Sequence, residues 1–321
     1  MAKKKKNRNF RVIAIIEAVV ILVLAVPLVK LTIMFSSKNG STIPAINTEP
    51  DVRTRAVIEK EKTFYQTDGE KIIMDGGSLG EIYMPVLEDV PKSEVDSNSV
   101  VTRNGYSFYK DKDKITSIAG IDVSEFQGYI DWKQVKDAGI EFAFIRIGCR
   151  TYSNGEIIFD ERFKENLYSA DRAGVKTGVY FFSQALTVDE AIEEADAVID
   201  AIEPFNITYP VVFDWEIIYE DYARTDEITI ESLADCCVAF CERIKSAGYT
   251  PMIYQNKSTL LFKVDLPRVK EYDIWLAEYN DEPTYYYDFK IWQYASDGRV
   301  PGISTDVDMN ISFKDYSKNT N

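Results

Sequence analysis

Two carboxylates stand at the end of one short apolar run. In the segment YPVVFDWE at 209–216, Asp214 and Glu216 are separated by Trp215 alone. Side chains alternate between the two faces of a β-strand, so both acids should project from the same side. Like charges beside an aromatic ring are unfavourable unless a function uses them, and general acid–base chemistry is such a function. The simpler alternative is a strand end that runs into a solvated loop.

The composition narrows the chemistry further. The 321 residues contain no histidine, which excludes Ser-His-Asp and Cys-His catalysis and leaves Asp and Glu as the acid–base residues. The net charge of −15 argues against nucleic acid or an anionic lipid surface as the main partner. No C-x-x-C pair occurs among the cysteines, so we predict no metal site and no cofactor. The cysteines are predicted to be buried apolar residues: Cys149, Cys236, Cys237 and Cys241.

Strand-like and helical segments alternate from residue 120 onward. The predicted strands lie at 120–123, 142–148, 177–182, 210–215, 251–254, 273–277, 290–294 and 306–311. The predicted helices lie at 131–138, 160–173, 187–202, 228–247 and 258–269. Thr187 and Glu190 have the spacing of a capping box, and glycines fit three helix ends, at Gly139, Gly174 and Gly248. This alternation predicts a parallel sheet, and eight strands predict a closed barrel.

The last three strands break the alternation. About a dozen residues separate 277 from 290 and 294 from 306, whereas a parallel crossover usually contains a helix. These strands should therefore be joined by loops or pair differently. The predicted fold class is α/β, a TIM-like barrel with five β/α units and three helix-poor strands.

Acidic residues recur where the barrel mouth is expected. Active sites of such barrels lie at the C-terminal ends of the strands. Asp122 lies near the end of the first strand, Asp214 and Glu216 end the fourth, and Asp306 and Asp308 occupy the last. The first and last strands are neighbours in a closed barrel, so Asp122 and Asp308 should meet. A single acid at a strand end is commonly a helix N-cap, but their convergence favours a catalytic site.

Seven ordered motifs carry a family resemblance. The segment GIDVSEFQGYIDW at 120–132 resembles the opening of the glycoside hydrolase family 25 muramidases, the Chalaropsis-type lysozymes. The remaining motifs are GVYFF at 178–182, VFDWE at 212–216, YQN at 254–256, WLAEY at 275–279, WQY at 292–294 and VDMN at 307–310. The resemblance covers about residues 118–315. It implies a barrel with five helices and cleavage of the β-1,4 bond between N-acetylmuramic acid and N-acetylglucosamine in peptidoglycan.

The resemblance also implies roles for the four acids. Glu216 matches the general acid, Asp214 the second catalytic carboxylate, and Asp122 and Asp308 supporting acids. Neighbouring carboxylates and partial burial should raise the pKa of Glu216, while Asp214 should stay ionised. The resemblance favours net retention with the substrate's acetamido group as nucleophile. Direct attack by Asp214 stays open.

Several motif side chains are predicted to bind substrate. Those expected to line the sugar groove are Tyr180, Tyr254, Trp275, Trp292 and Gln293. For the two tryptophans the alternative is core packing. Many family members carry a KATEG-like segment after the second strand, and here it reads RIGCR at 146–150. Arg146 is therefore predicted either to serve the substrate site, where it would pair with a catalytic carboxylate, or to form a structural ion pair.

The N-terminal third has a different composition. Residues 1–11 carry six positive charges, and residues 12–35 are apolar except for Glu17 and Lys30. We predict a basic cytoplasmic tail followed by a transmembrane signal anchor, with a cleaved signal peptide as the alternative. Residues 36–115 are predicted to be an extracytoplasmic linker or stalk containing a hairpin at Asn104-Gly105. Residues 116–321 would form the catalytic domain.

These observations predict a single-pass membrane protein whose catalytic domain lies outside the cell and acts on peptidoglycan glycan strands. One alternative is a non-catalytic module that binds the cell wall through the same groove. Pure binding does not require two adjacent acids, which counts against it. A second alternative is a hydrolase of another N-acetylated glycan, such as chitin.

Overall fold

The computed structural model describes residues 71–75, 81–103, 105–219 and 221–318. The predicted basic tail, the predicted anchor at 12–35 and the first half of the predicted linker lie outside these residues. Within the described ranges, no helix has both the length and the apolar character needed to span a membrane.

The secondary structure is numbered along the chain. The strands are β1 Lys71–Asp75, β2 Glu81–Pro85, β3 Val100–Arg103, β4 Tyr106–Asp111, β5 Lys114–Ile115, β6 Ile118–Val123, β7 Phe142–Arg150, β8 Ile157–Phe159, β9 Lys176–Ser183, β10 Val211–Trp215, β11 Pro251–Asn256, β12 Asp273–Ala277, β13 Ile291–Gly298 and β14 Val307–Ser312. The α-helices are α1 Trp132–Asp137, α2 Phe163–Ala173, α3 Val188–Ile202, α4 Ile230–Ser246, α5 Lys257–Phe262 and α6 Leu266–Val269.

Eight of these strands form a closed barrel in the order β6-β14-β13-β12-β11-β10-β9-β7, and β6 pairs with β7 to complete it. Seven strands are parallel, whereas β14 runs antiparallel to both of its neighbours. The predicted eight-strand barrel is therefore confirmed, with a mixed rather than fully parallel sheet. The link between β13 and β14 is too short for a helical crossover, so the chain turns back instead.

The helices agree with the predictions except in one place. The predicted helix at 258–269 is two short helices, α5 and α6, because the chain turns at Asp265 and Pro267 occupies the first turn of α6. The predicted start of α3 is confirmed, since the Thr187 side chain accepts a hydrogen bond from the Glu190 N–H at 3.2 Å. The glycines predicted to end three helices all have positive φ: Gly139, Gly174 and Gly248.

Alternating side chains give the barrel an inner and an outer core. Phe213 and the other odd-numbered residues of β10 face the helices. The centroid of the Phe213 ring lies 5.3 Å from that of Phe240 on α4. The inner cluster includes Phe142, Phe144 and Val212. Glycine makes room for one of these rings, since a Cβ on Gly178 would lie 2.5 Å from Phe144.

Part of the predicted linker packs against the barrel. Strands β3 and β4 form the predicted hairpin, with Gly105 at φ +81° in the turn. The Ser93 N–H donates to the Tyr286 carbonyl at 2.9 Å, and the Ser107 N–H donates to the Tyr294 hydroxyl at 3.2 Å. The β3–β4 hairpin belongs to the same compact unit as the barrel, and the boundary at 115/116 stays a prediction.

We expect Gly178→Ala to lower the free energy of unfolding by about 1–3 kcal/mol, because the new methyl group would overpack the barrel interior against Phe144. Urea denaturation of the full chain measures this loss. In the double variant with Phe144→Leu, the observed loss should be smaller than the sum of the two single losses, because leucine relieves the contact with the ring, while the close approach to the Pro210 carbonyl at 2.7 Å remains. Wild-type stability in Gly178→Ala would contradict the close approach.

Candidate active site

Four carboxylates line one cavity at the mouth of the barrel. Asp122 comes from the end of β6, Asp214 and Glu216 from the end of β10, and Asp308 from the start of β14. Asp308 lies opposite Asp122 in the strand register. Because β14 is antiparallel, its first residues lie at the end of the barrel where the parallel strands finish. The cavity has a volume of about 190 Å³, and its other lining residues are Tyr180, Tyr254, Trp275, Tyr279 and Gln293.

Asp122 is held by two side-chain amides. Its Oδ2 accepts hydrogen bonds from Gln293 Nε2 at 2.8 Å and from Asn310 Nδ2 at 2.7 Å. Each amide is oriented in turn by an aromatic donor. Trp275 Nε1 donates to Asn310 Oδ1 at 2.8 Å, and the Tyr254 hydroxyl donates to Gln293 Oε1 at 2.9 Å. This network fixes the position of Asp122, whose charge acts on the other three acids.

Burial and the charges of neighbouring acids raise the pKa values of the carboxyl groups. Burial raises the pKa of Glu216 to about 7, and the charge of Asp122 contributes to the rise. Burial, followed by the charges of Asp122 and Glu216, raises the pKa of Asp308 to about 8. The pKa of Asp122 rises to about 6 through burial, against the opposing effect of its amide hydrogen bonds. The mouth therefore retains protons near neutral pH.

Asp214 is the most confined of the four acids. Its side chain is 4% exposed, and its Oδ1 is buried without a hydrogen-bond partner in the described structure. Burial raises its pKa well above the usual range, and the charges of Glu216 and Asp122 raise it further. These surroundings do not support the prediction that Asp214 stays ionised.

Two buried glutamines hold the backbone that carries the paired acids. Gln184 Nε2 donates to the Glu216 carbonyl at 3.0 Å, and its Oε1 accepts from the Thr225 hydroxyl at 2.5 Å. Gln255 Nε2 donates to the Trp215 carbonyl. Both glutamine side chains are inaccessible to solvent. These bonds hold the backbone of Trp215 and Glu216 in place.

Aromatic rings form the floor of the cavity. Trp275 stacks on Phe144 with ring centroids 4.4 Å apart. Tyr254 and Tyr180 approach Trp275 edge-on, at centroid distances of 4.7 and 6.2 Å. The structure thus brings together the four predicted acids and four predicted groove residues, including Gln293.

The structure does not place Trp292 in the groove, so that prediction is wrong. Trp292 is fully buried in the outer core, and its Nε1 donates to the Glu278 carbonyl at 2.8 Å. Adjacent strand residues face opposite sides, so the inward position of Gln293 excludes an inward Trp292. Core packing was the alternative prediction.

Arg146 also lies outside the cavity lining. Its guanidinium bonds to Asp160 at 2.9 Å and to Glu125 at 3.0 Å, and it lies 4.8 Å from the Phe126 ring centroid. The structural ion pair is thus the arrangement observed, and the predicted pairing with a catalytic carboxylate is not. Asp306 likewise pairs with Arg299, at 2.6 Å, rather than joining the site.

The sequence analysis missed two residues of the site, Tyr279 and Asn310. Tyr279 lines the cavity, and its hydroxyl donates to Gln293 Oε1 at 3.0 Å. Asn310 bridges Trp275 and Asp122. Both stand in segments already singled out, WLAEY and VDMN, and each follows an inward-facing residue by two positions.

Neither metal-ligating clusters nor disulfides are found in the described ranges. The cysteines of α4 are buried as predicted: Cys236, Cys237 and Cys241. Cys149 is only half-buried, so the prediction of burial does not fully hold there.

Comparison with known proteins identifies the family. A sequence profile described as Glycosyl hydrolases family 25 matches residues 121–303, more than half of the chain. The chain belongs to glycosyl hydrolase family 25. The family 25 match contains three of the four acids, and Asp308 follows it by five residues.

Individual relatives cover similar parts of this family 25 chain. It is 28% identical over 208 residues to Lysozyme M1 from Streptomyces globisporus, covering 61% of this chain and 67% of the relative. It is 26% identical over 192 residues to the autolytic lysozyme of Clostridium acetobutylicum, covering 59% of this chain and 54% of that protein. Its fold is similar to the modular autolysin LytC from Streptococcus pneumoniae, with a TM-score of 0.55 and 24% identity, over 75% of this chain and 57% of that one. The chain thus spans about half to two thirds of these relatives.

We expect Asp308→Asn to stabilise the family 25 barrel at alkaline pH. The folded structure raises the pKa of Asp308 from 3.8 to about 8, so its stabilising contribution exists below pH 3.8 and is lost as the pH rises through about 8. Asparagine removes this loss, and we expect a gain of about 1–2 kcal/mol in the free energy of unfolding near pH 9 and little gain near pH 4.

Thermal unfolding across this pH range measures the difference. Asp306→Asn is the matched control, because Asp306 lies two residues away in an exposed ion pair with Arg299. The same pH dependence in Asp308→Asn and wild type would contradict the raised pKa.

Proposed function

We propose that this family 25 chain is a muramidase that hydrolyses the β-1,4 bond between N-acetylmuramic acid and N-acetylglucosamine in peptidoglycan. The observation that carries the proposal is the set of four acids at one barrel mouth, with Glu216 holding a pKa of about 7. Similarity to two proteins named as lysozymes supports it. The pneumococcal autolysin LytC, whose fold is similar, has been solved in complex with a synthetic peptidoglycan ligand.

Glu216 is the general acid in this proposal. With a pKa of about 7 it keeps its proton below neutral pH and can transfer it to the glycosidic oxygen as the bond to the anomeric carbon breaks. Its backbone is fixed by Gln184, so the carboxyl can hold one direction towards the sugar. In the second half of the reaction the same carboxylate removes a proton from the attacking water.

Asp214 stabilises the positive charge that develops at the anomeric carbon in this proposal. An adjacent carboxylate is favoured as the anomeric carbon becomes cationic, so the reactive form is the one in which Asp214 has already released its proton to solvent water before the glycosidic bond breaks. The ionised Asp214 carboxylate, which lines the cavity, can accept a hydrogen bond from the acetamido N–H of the substrate. The acetamido oxygen then acts as the nucleophile, and water opens the cyclic intermediate with net retention.

Asp122 and Asp308 line the same cavity as Glu216 and Asp214, and in this proposal the charge of Asp122 influences the pKa values of that pair. Asp122 has a lower pKa than Asp308, about 6, because two amides donate to it, and its charge helps to keep the proton on Glu216. Tyr180, Tyr254 and Trp275 offer ring surfaces and hydroxyls of the kind that pyranose rings contact.

The finer proposal is a membrane-anchored enzyme that acts on the outer side of the membrane. It is supported by the apolar stretch at 12–35 and by the six positive charges that precede it, which favour a cytoplasmic N-terminus.

We expect Glu216→Gln to lower kcat by about 10²–10⁴-fold, because glutamine cannot donate the proton. The release of new reducing ends from purified peptidoglycan measures the rate, and mass spectrometry of the products identifies the bond cleaved. Wild-type activity should fall as the pH rises above about 7, when the free enzyme loses the Glu216 proton.

Glu203→Gln, an exposed change at the end of α3, is the control and should match wild type. Unchanged turnover in Glu216→Gln would exclude it as the acid. Glycan binding by wild type without new reducing ends would instead favour a non-catalytic module.

We expect the full chain, expressed in bacterial cells, to remain in the membrane fraction after alkaline carbonate extraction. Leu24→Arg should reduce this retention, because a central arginine costs about 2.5–3.5 kcal/mol of insertion free energy. Protease added to intact cells after removal of the wall should digest the barrel domain. Recovery of a shortened, soluble protein would support a cleaved signal peptide and contradict the anchor.

A further inference from the structure

A second cleft lies beside the catalytic cavity, and Tyr279 lines both. Its volume is about 540 Å³, within the range of about 300–1,000 Å³ that is usual for ligand sites. One wall is the β3–β4 hairpin, which contributes Thr102, Gly105 and Ser107. The other wall is formed by the loop after β12 and by the end of β13.

Both walls are fixed by hydrogen bonds. The hairpin is attached to the barrel by the bond from the Ser107 N–H to the Tyr294 hydroxyl, at 3.2 Å. The loop after β12 is anchored by Glu278, whose carboxylate accepts from Lys257 Nζ at 3.0 Å and from the Thr284 N–H at 2.8 Å. The cleft is therefore part of the folded structure and adjoins the substrate site on its β13 side.

The hairpin lies outside the residues that the family profile matches, 121–303. This wall is thus supplied by the segment that the sequence analysis had interpreted as a linker. Its packing against the barrel places that segment beside the catalytic cavity.

The chemistry of the lining restricts the ligand. Two carboxylates, Asp281 and Asp297, line the cleft, and no lysine or arginine is among its lining residues. An anionic ligand would be repelled. Hydroxyls are suitable partners for these carboxylates and for the Asn280 amide, and Thr102 and Ser107 present a hydroxyl pair 3.3 Å apart. The Tyr279 ring, 54% exposed, offers a face for stacking.

We propose that this cleft binds further neutral sugar units of the same glycan strand, beyond those held at the four acids. The inference rests on the proposed function. It makes the β3–β4 hairpin a determinant of substrate length, so that long strands are cleaved more efficiently than short ones.

The test compares kcat/KM for peptide-free glycans of increasing length, using the full chain and strands whose lactyl carboxyls are amidated, so that removal of the stem peptides leaves no anionic group on the sugars. In Thr102→Trp the indole fills the cleft from an exposed strand position, and we expect the ratio of kcat/KM for long over short glycans to fall about tenfold, or about 1.4 kcal/mol. Arg103→Trp is the matched control, because the neighbouring residue faces the opposite side of β3, and it should leave the ratio unchanged. Asp297→Ala removes hydrogen-bonding capacity without adding bulk and should lower the ratio in the same direction.

Three outcomes would overturn the inference. One is a wild-type ratio near unity, and another is an equal fall in Thr102→Trp and Arg103→Trp. The third is a length preference that appears only when the strands carry stem peptides, which would assign the cleft to the peptide. If wild type cleaves short glycans in any of these cases, the proposed function is retained and only the inference about the cleft fails. If wild type cleaves no glycan at all, the proposed function fails together with the inference.

Discussion

The confinement of four carboxyl groups at one barrel mouth, two of them buried and two half-buried, is the constraint on which the rest of the structure depends. Burial is the main cause that raises the pKa of each of these acids, Asp122, Asp214, Glu216 and Asp308. The charge of Asp122 raises the pKa of the other three further. Such an arrangement lowers the stability of the folded state at neutral pH. The rest of the structure must compensate for it with rigid packing, which the aromatic floor and the closed ladder of strands provide.

Much of this site could be predicted from the alternation of side chains along a strand and from the closure of the barrel. Alternation along a strand placed Asp214 and Glu216 on one side, and barrel closure placed Asp122 against Asp308. The ordered motifs supplied the remaining groove residues, and the family match agrees with them. The same alternation, applied to neighbouring residues, would have excluded Trp292 once Gln293 was taken to face inward.

Other features depend on contacts that the sequence does not reveal. No helix lies between β12 and β13 or between β13 and β14, yet the first pair of strands is parallel and the second is antiparallel, so the sequence pattern alone does not predict which strand turns back. Arg146 pairs with Asp160 and Glu125, and these two acids come from segments that meet only in the folded chain. The segment before the barrel has few regular patterns, and its anchoring partners lie far along the sequence. The protonation of Asp214 depends on burial, which a pattern of residue types does not measure.

The hydrogen bonds to Asp122 stabilise its negative charge without a cation. Tyrosine donates to glutamine, tryptophan donates to asparagine, and both amides donate to the one carboxylate oxygen. The charge of Asp122 is thus stabilised by neutral dipoles. The guanidinium of Arg146 forms ion pairs with two other acids. A counter-ion at Asp122 would have cancelled its charge. Dipolar solvation stabilises the anion while leaving a negative field in the cavity, and that field favours a cationic transition state over a neutral ground state.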